Sequence, residues 1–174
     1  AAVDVERAGV LDPSRLVNES SGFPWHGGGD VLDGHGGIDF KETRAVSIIS
    51  EAGTPSLGCA GHQWPHAWSY GSYDPKTGRT MDFLAFYNKN RETAVLPELT
   101  PEAGVWLTQQ VSTFFGDFLR NTSRTWVSGL FYCQLVDVET ECNGLISFDR
   151  VVPKVDAATI AYTIRKRTPR LQAR

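Results

Sequence analysis

The sequence predicts an α+β domain, predominantly antiparallel β in the form of a sheet or decorated sandwich, with one main helix near residues 100–120 and a long irregular N-terminal arm. Three observations carry this. Short runs rich in Val, Ile, Tyr and Phe recur after Thr43, one capped amphipathic helix stands between those runs, and glycine fills seven of the sixteen positions in GFPWHGGGDVLDGHGG. Strand runs on either side of a segregated helix fit an antiparallel α+β arrangement better than alternating βαβ units.

Residues 1–42 show little sustained periodicity, and their glycine density favours an irregular arm lying against the protein's own sheet or a neighbouring subunit. RAVSIIS then reads as a strand. HAWSYGSY (66–73) and TMDFLAFY (80–87) read as a hairpin, because the Asp-Pro and Thr-Gly steps of SYDPKTGRT supply turn chemistry between them. ETAVL (92–96) adds a short third strand. Thr100-Pro101-Glu102 is a helix start, with an N-cap hydroxyl, Pro at the first helical position and an early acid. Leu107, Val111, Phe114, Phe115 and Phe118 follow at helical spacing, a stripe for packing on a sheet. WVSGLFYCQLVDV and CNGLISFD read as strands about a turn near Glu139-Thr140, and ATIAYTIRK as a last strand with Ile160, Tyr162 and Ile164 on one face. The expected division is an arm over 1–42, a β-rich body over 43–164 and a basic tail over 165–174.

At 174 residues and 41% hydrophobic content the chain has the apolar material for one globular core. No run approaches the roughly 18 apolar residues of a membrane span, and AAVDVERAGV lacks the basic-then-apolar layout of a signal peptide. A start at Ala1 and an end at Arg174 fit a fragment cut from a longer precursor. The net charge of −3 hides an asymmetry: Arg165, Lys166, Arg167, Arg170 and Arg174 make the last ten residues +5, leaving 12 bases against 20 acids before them. A generic nucleic-acid binder is excluded by that acidic body, whereas the tail suits an acidic partner or is simply a solvated terminus. Cys133 and Cys142 lie symmetrically about the 139–140 turn, which admits either a cross-strand disulfide or two reduced thiols. Asn18-Glu19-Ser20 and Asn121-Thr122-Ser123 match the glycosylation pattern.

His26, His35, His62 and His66 all fall in residues 25–68, together with Cys59 and three of the five tryptophans. His26-Gly27-Gly28-Gly29 resembles an oxyanion-hole segment of α/β-hydrolases, but the sequence contains no G-x-S-x-G elbow, so these glycines read as loop formers. Cys59, His62 and His66 have types suited to zinc, with His26, His35, Asp30, Asp33 or Asp39 as a fourth ligand, although the spacing matches no standard finger. The same Cys59 serves as a thiol nucleophile if His62 or His66 is its base and Asp74 or Asp82 orients that base; otherwise it is a small buried side chain. Trp64, His66, Trp68, Tyr70 and Tyr73 form the densest aromatic cluster and are either a core face or a surface for stacking on sugars or anchoring a protein.

The function expected from these features is a non-enzymatic structural or recognition module, with viral coat or spike-like character. It would act without a cofactor or metal, through homo-oligomer or larger assembly or through a glycan or protein receptor, in a virion-surface or extracellular setting. The alternative is a small Cys/His-dependent hydrolase or zinc-dependent enzyme built on Cys59, His62 and His66.

Overall fold

The computed structural model describes residues 2–19, 28–35, 46–53, 55–64, 71–82, 89, 96–121 and 127–167. Among these are three helices, α1 (Ala2–Leu11), α2 (Pro101–Asn121) and α3 (Ala157–Arg167). The described residues also form five strands, β1 (Val31–His35), β2 (Val46–Ala52), β3 (Gly71–Asp74), β4 (Arg79–Asp82) and β5 (Val127–Tyr132). No described helix is long and apolar enough to cross a membrane. The chain divides into two compact units, residues 1–53 with 121–133, and residues 54–120 with 134–174.

The first unit corrects the expected antiparallel architecture. Its sheet has the order β1-β2-β5, and both pairings are parallel. Parallel pairing depends on where a connection crosses over, and a local hydrophobic pattern does not encode that. Within the supposed irregular arm, Ala2–Leu11 is helical and Val31–His35 is the edge strand β1. Residues 17–19 lie against 28–30: the Asp30 amide donates to the Val17 carbonyl at 2.9 Å, and the Asp30 carboxylate accepts from the Val17 amide at 2.9 Å. A Cβ at Gly29 would sit 2.8 Å from the Val17 carbonyl oxygen, so only glycine permits this approach. Gly34 pairs with Ile49 but His35 with Glu51, which leaves Ser50 in a bulge. The buried Asp33 carboxylate accepts the Ser50 amide at 2.9 Å and the Asn18 side-chain amide at 2.5 Å. The nitrogen that would carry a glycan at Asn18 therefore holds Asp33.

The second unit contains the expected antiparallel hairpin, β3 with β4, Gly71 opposite Asp82 and Asp74 opposite Arg79. Its turn is an Asx type: the Asp74 carboxylate accepts from the Lys76 amide at 2.9 Å and the Thr77 hydroxyl at 2.7 Å. Helix α2 begins where its sequence signal placed it, with the Thr100 hydroxyl accepting the Ala103 amide at 3.2 Å. Trp106, Leu107 and Val111 are buried, and Tyr73 packs on Trp106 with ring centroids 5.4 Å apart.

ATIAYTIRK is helical, not a strand. The Asp156 carboxylate accepts the Ala158 amide at 3.0 Å and the Thr159 hydroxyl at 2.6 Å, an N-cap that starts α3. Ile160 and Ile164 fit the i, i+4 spacing of a helix as well as strand alternation. Tyr162, 61% exposed while Ile160 is 7% exposed, lies off the buried face, as the helical period requires.

The turn at Glu139-Thr140 is present: Val138 and Glu141 exchange backbone hydrogen bonds, with Glu139 at φ 50°. CNGLISFD, however, forms only isolated bridges through Ile146, to Val136 and Pro153. All three cysteines are unbridged. The Cys133 amide extends the β5–β2 ladder by donating to Ala52, while the Cys142 carbonyl accepts from Leu57. The pieces at 66–70, 83–87 and 92–95 lie outside the described residues.

Candidate functional site

In the second unit the extended segment Ser56–Cys59 is a hub. The Ser56 amide donates to Gly71, the Leu57 amide to Cys142, and the Gly58 amide to Pro97, while the Gly58 carbonyl accepts from Leu99. Three separate stretches of the chain therefore converge on three consecutive residues. Across this hub lies a charge pair that is wholly inside the protein. The Lys154 ammonium donates to both oxygens of Asp137 (2.8 and 3.0 Å), to the Leu57 carbonyl (3.1 Å) and to the Cys142 carbonyl (2.8 Å). Both side chains are 0% exposed.

Gly144 completes this network by donating its amide to Asp137 at 2.8 Å, and a Cβ there would lie 2.3 Å from the Asp137 nitrogen. Burial pushes the Asp137 carboxyl up, with the Lys154 charge and the hydrogen bonds pulling against it. Every donor of the lysine is used, so the pair is a rigid internal staple with no group left to do chemistry.

Above the staple, the hub leads into a turn in which the His62 amide donates to the Cys59 carbonyl at 2.8 Å and the Cys59 amide to the Gln63 side chain at 2.6 Å. This turn presents His62 and Trp64 to the loop of residues 147–152. His62 Nδ1 meets Asp149 Oδ2 at 2.6 Å, with both side chains about one-third exposed. Asp149 Oδ1 accepts the Ser147 hydroxyl at 2.7 Å and the Val151 amide at 3.2 Å. The bonds from His62 and then Ser147 hold the Asp149 carboxyl at about 2. Beside this pair Trp64 meets Phe148 edge-to-face at 5.0 Å, and the two rings are 44% and 37% exposed.

The structure thus brings together His62 and Trp64 of the sequence-predicted residues, with Cys59 beneath them. Cys59 is 5% exposed, and burial, opposed by Lys154, pushes its thiol up; the Cys142 thiol is pushed up to about 12. A thiol nucleophile needs the opposite shift. Tyr73 is half-buried against Trp106 rather than beside Trp64. His26, His66, Trp68, Tyr70 and Asp39 lie outside the described residues.

His35 pairs with Glu51 at 3.1 Å in the first unit, Asp30 and Asp33 bind local amides, and Asp74 holds its own turn. Among the described residues no three His, Cys, Asp or Glu side chains form a group able to hold a metal ion. Asp149, Phe148, Asp137 and Lys154 were not legible as site residues. Asp149 lies 87 positions from His62 and Phe148 lies 84 from Trp64, while Lys154 lies 97 from Leu57 and 17 from Asp137, and VVPK reads locally as a surface lysine. No protein-family model and no curated protein sequence matches this chain.

Proposed function

We propose that this chain is a non-enzymatic structural or recognition module that works by assembling with, or binding to, other macromolecules. The observation that carries the reading is the exposed Trp64–Phe148 pair, held in place by the His62–Asp149 bond and backed by the Lys154–Asp137 staple. Aromatic rings with few rotatable bonds offer large contact area at small entropy cost, and preorganisation lowers that cost further. Val138 and Val151, exposed on neighbouring turns of the same unit, add apolar surface. The position of Cys59, buried and with a raised thiol, supports this reading over a thiol hydrolase.

Native mass spectrometry of the intact chain, alongside a glycan array, tests the proposal. The expected result is an oligomeric mass or glycan retention that Trp64→Ala and Phe148→Ala abolish without loss of fold. A concentration-independent monomer that retains no glycan overturns it. A monomer carrying one zinc ion also overturns it, in favour of the enzyme alternative with Cys59, His62 and His66.

A further inference from the structure

A groove of about 640 Å³ opens in the second unit between the first two turns of α2 and the approach to α3. Leu99, Pro101, Val105, Pro153 and Val155 give it apolar walls, and Val105 is 59% exposed there. Thr108 braces its floor, donating its hydroxyl to the Gly104 carbonyl at 2.8 Å and accepting the Asp156 amide at 2.9 Å. The size lies within the range of small binding clefts.

The charge around the groove has one sign. Asp156 lines it and is exposed. Glu102 is exposed beside Pro101 in the first turn of α2. The only basic residue of the lining, Lys154, spends its charge inside the protein on Asp137. The amides that would give the two helix starts a positive end are in part capped, by Thr100 at α2 and by Asp156 at α3. Apolar walls with an acidic rim suit a segment in which bases stand beside aliphatic residues.

The chain carries such a segment at the other end of α3. Arg165 and Lys166 are exposed in its last turns, and the sequence continues RTPRLQAR with no acid. Arg165 and Lys166 stand some eight or nine residues beyond the start of α3, about 12 to 14 Å along the helix, and the rigid helix holds them away from the groove at its own start. They can meet the groove of another molecule.

We propose that the groove lined by Val105 and Asp156 receives the basic C-terminal end of α3 from a second copy of this chain. The resulting contact is heterologous, groove to helix end, so it propagates into rings or filaments instead of closing as a two-fold dimer. The proposal rests on the reading of the chain as an assembly module and names the surfaces that module uses.

The test is sedimentation velocity on the full chain and two one-sided variants, Val105→Arg in the groove and R165E/K166E at the helix end. The parent is expected to associate with rising concentration, less so at higher salt because exposed charges are screened within about 8 Å at physiological ionic strength. Each variant alone is expected to associate at least about tenfold more weakly, with unchanged circular dichroism. Mixed, the variants retain one intact groove and one intact helix end between them, so they are expected to form a dimer and stop there. A parent that associates while both variants do so equally well overturns the groove proposal and leaves assembly standing. So does a mixture that fails to pair. A parent that stays monomeric at every concentration removes both the groove contact and self-assembly.

Discussion

The Lys154–Asp137 pair and the His62–Asp149 pair both tie residues 57–64 to residues 137–154, one in the interior and one at the surface. In the interior, the ammonium has four oxygen acceptors and no exposed surface, so its cost of desolvation is met only if every partner stays in place. At the surface, solvent shares the load, and the bond fixes the direction of an imidazole at little structural risk. The difference separates two tasks. The inner pair fastens Leu57 to the 137–142 turn and to Lys154, and the outer pair orients side chains that are exposed at the surface.

The largest effect that can break this contrast is Lys154→Met. Leaving Asp137 buried without its cation is expected to cost about 3 to 5 kcal/mol in urea unfolding, a large share of the roughly 5 to 15 kcal/mol typical of a domain. Replacing both partners, as in K154M with Asp137→Leu, should recover much of that loss. If the single and double replacements are equally destabilised, the pair's charge is not the reason for its effect.

Acid sharpens the comparison because the two carboxyls respond in opposite senses. Asp149 is held at about 2 against an ordinary 3.8, so its native form releases the proton more readily than the unfolded chain does. Its contribution is complete above pH 3.8 and is lost as pH falls through 2. Asp149→Asn should remove that part of the decline between pH 4 and pH 2. Asp137 is raised, so its native form holds a proton more readily than the unfolded chain, and its contribution falls as pH rises through the native value. Removing Lys154 takes away the charge that opposes this rise, so the carboxyl of K154M is raised further and its deficit should shrink from pH 7 to pH 4. A deficit that grows in acid would show that Lys154 does not pull the Asp137 carboxyl down.

Thiol labelling gives a smaller effect of the same kind. Cys133 is half-buried, Cys59 is buried with a raised thiol, and Cys142 is fully buried. Labelling with a disulfide reagent at pH 7 should modify Cys133 first, and Cys133→Ala should remove that fast phase. Fast labelling of Cys59 would contradict its burial. The smallest expected change in stability is that of Trp64→Ala, within about 1 kcal/mol because the ring is already partly in water. Its effect should appear in association or glycan binding instead.

What the sequence determined by itself is local. Thr100-Pro101-Glu102 starts a helix because its cap and its fixed φ act within one turn, and Asp74-Pro75 with Thr77-Gly78 closes a hairpin for the same reason. Trp64 and His62 drew attention in the sequence by their chemistry alone, and the structure places both at the surface beside Phe148 and Asp149. The tertiary structure decided the rest. Ile160 and Ile164 fit two periods equally well; the Asp156 cap is itself local, and it is burial of Ile160 with exposure of Tyr162 that settles the helix. The parallel order β1-β2-β5 depends on connections that no strand's own pattern records. Lys154 and Asp149 became the staple and the orienting carboxylate only because folding brought them to Leu57 and His62, 97 and 87 positions away. Propensity acts between neighbours along the chain, whereas desolvation and pairing of charge act between neighbours in space, and those neighbours exist only once the chain has folded.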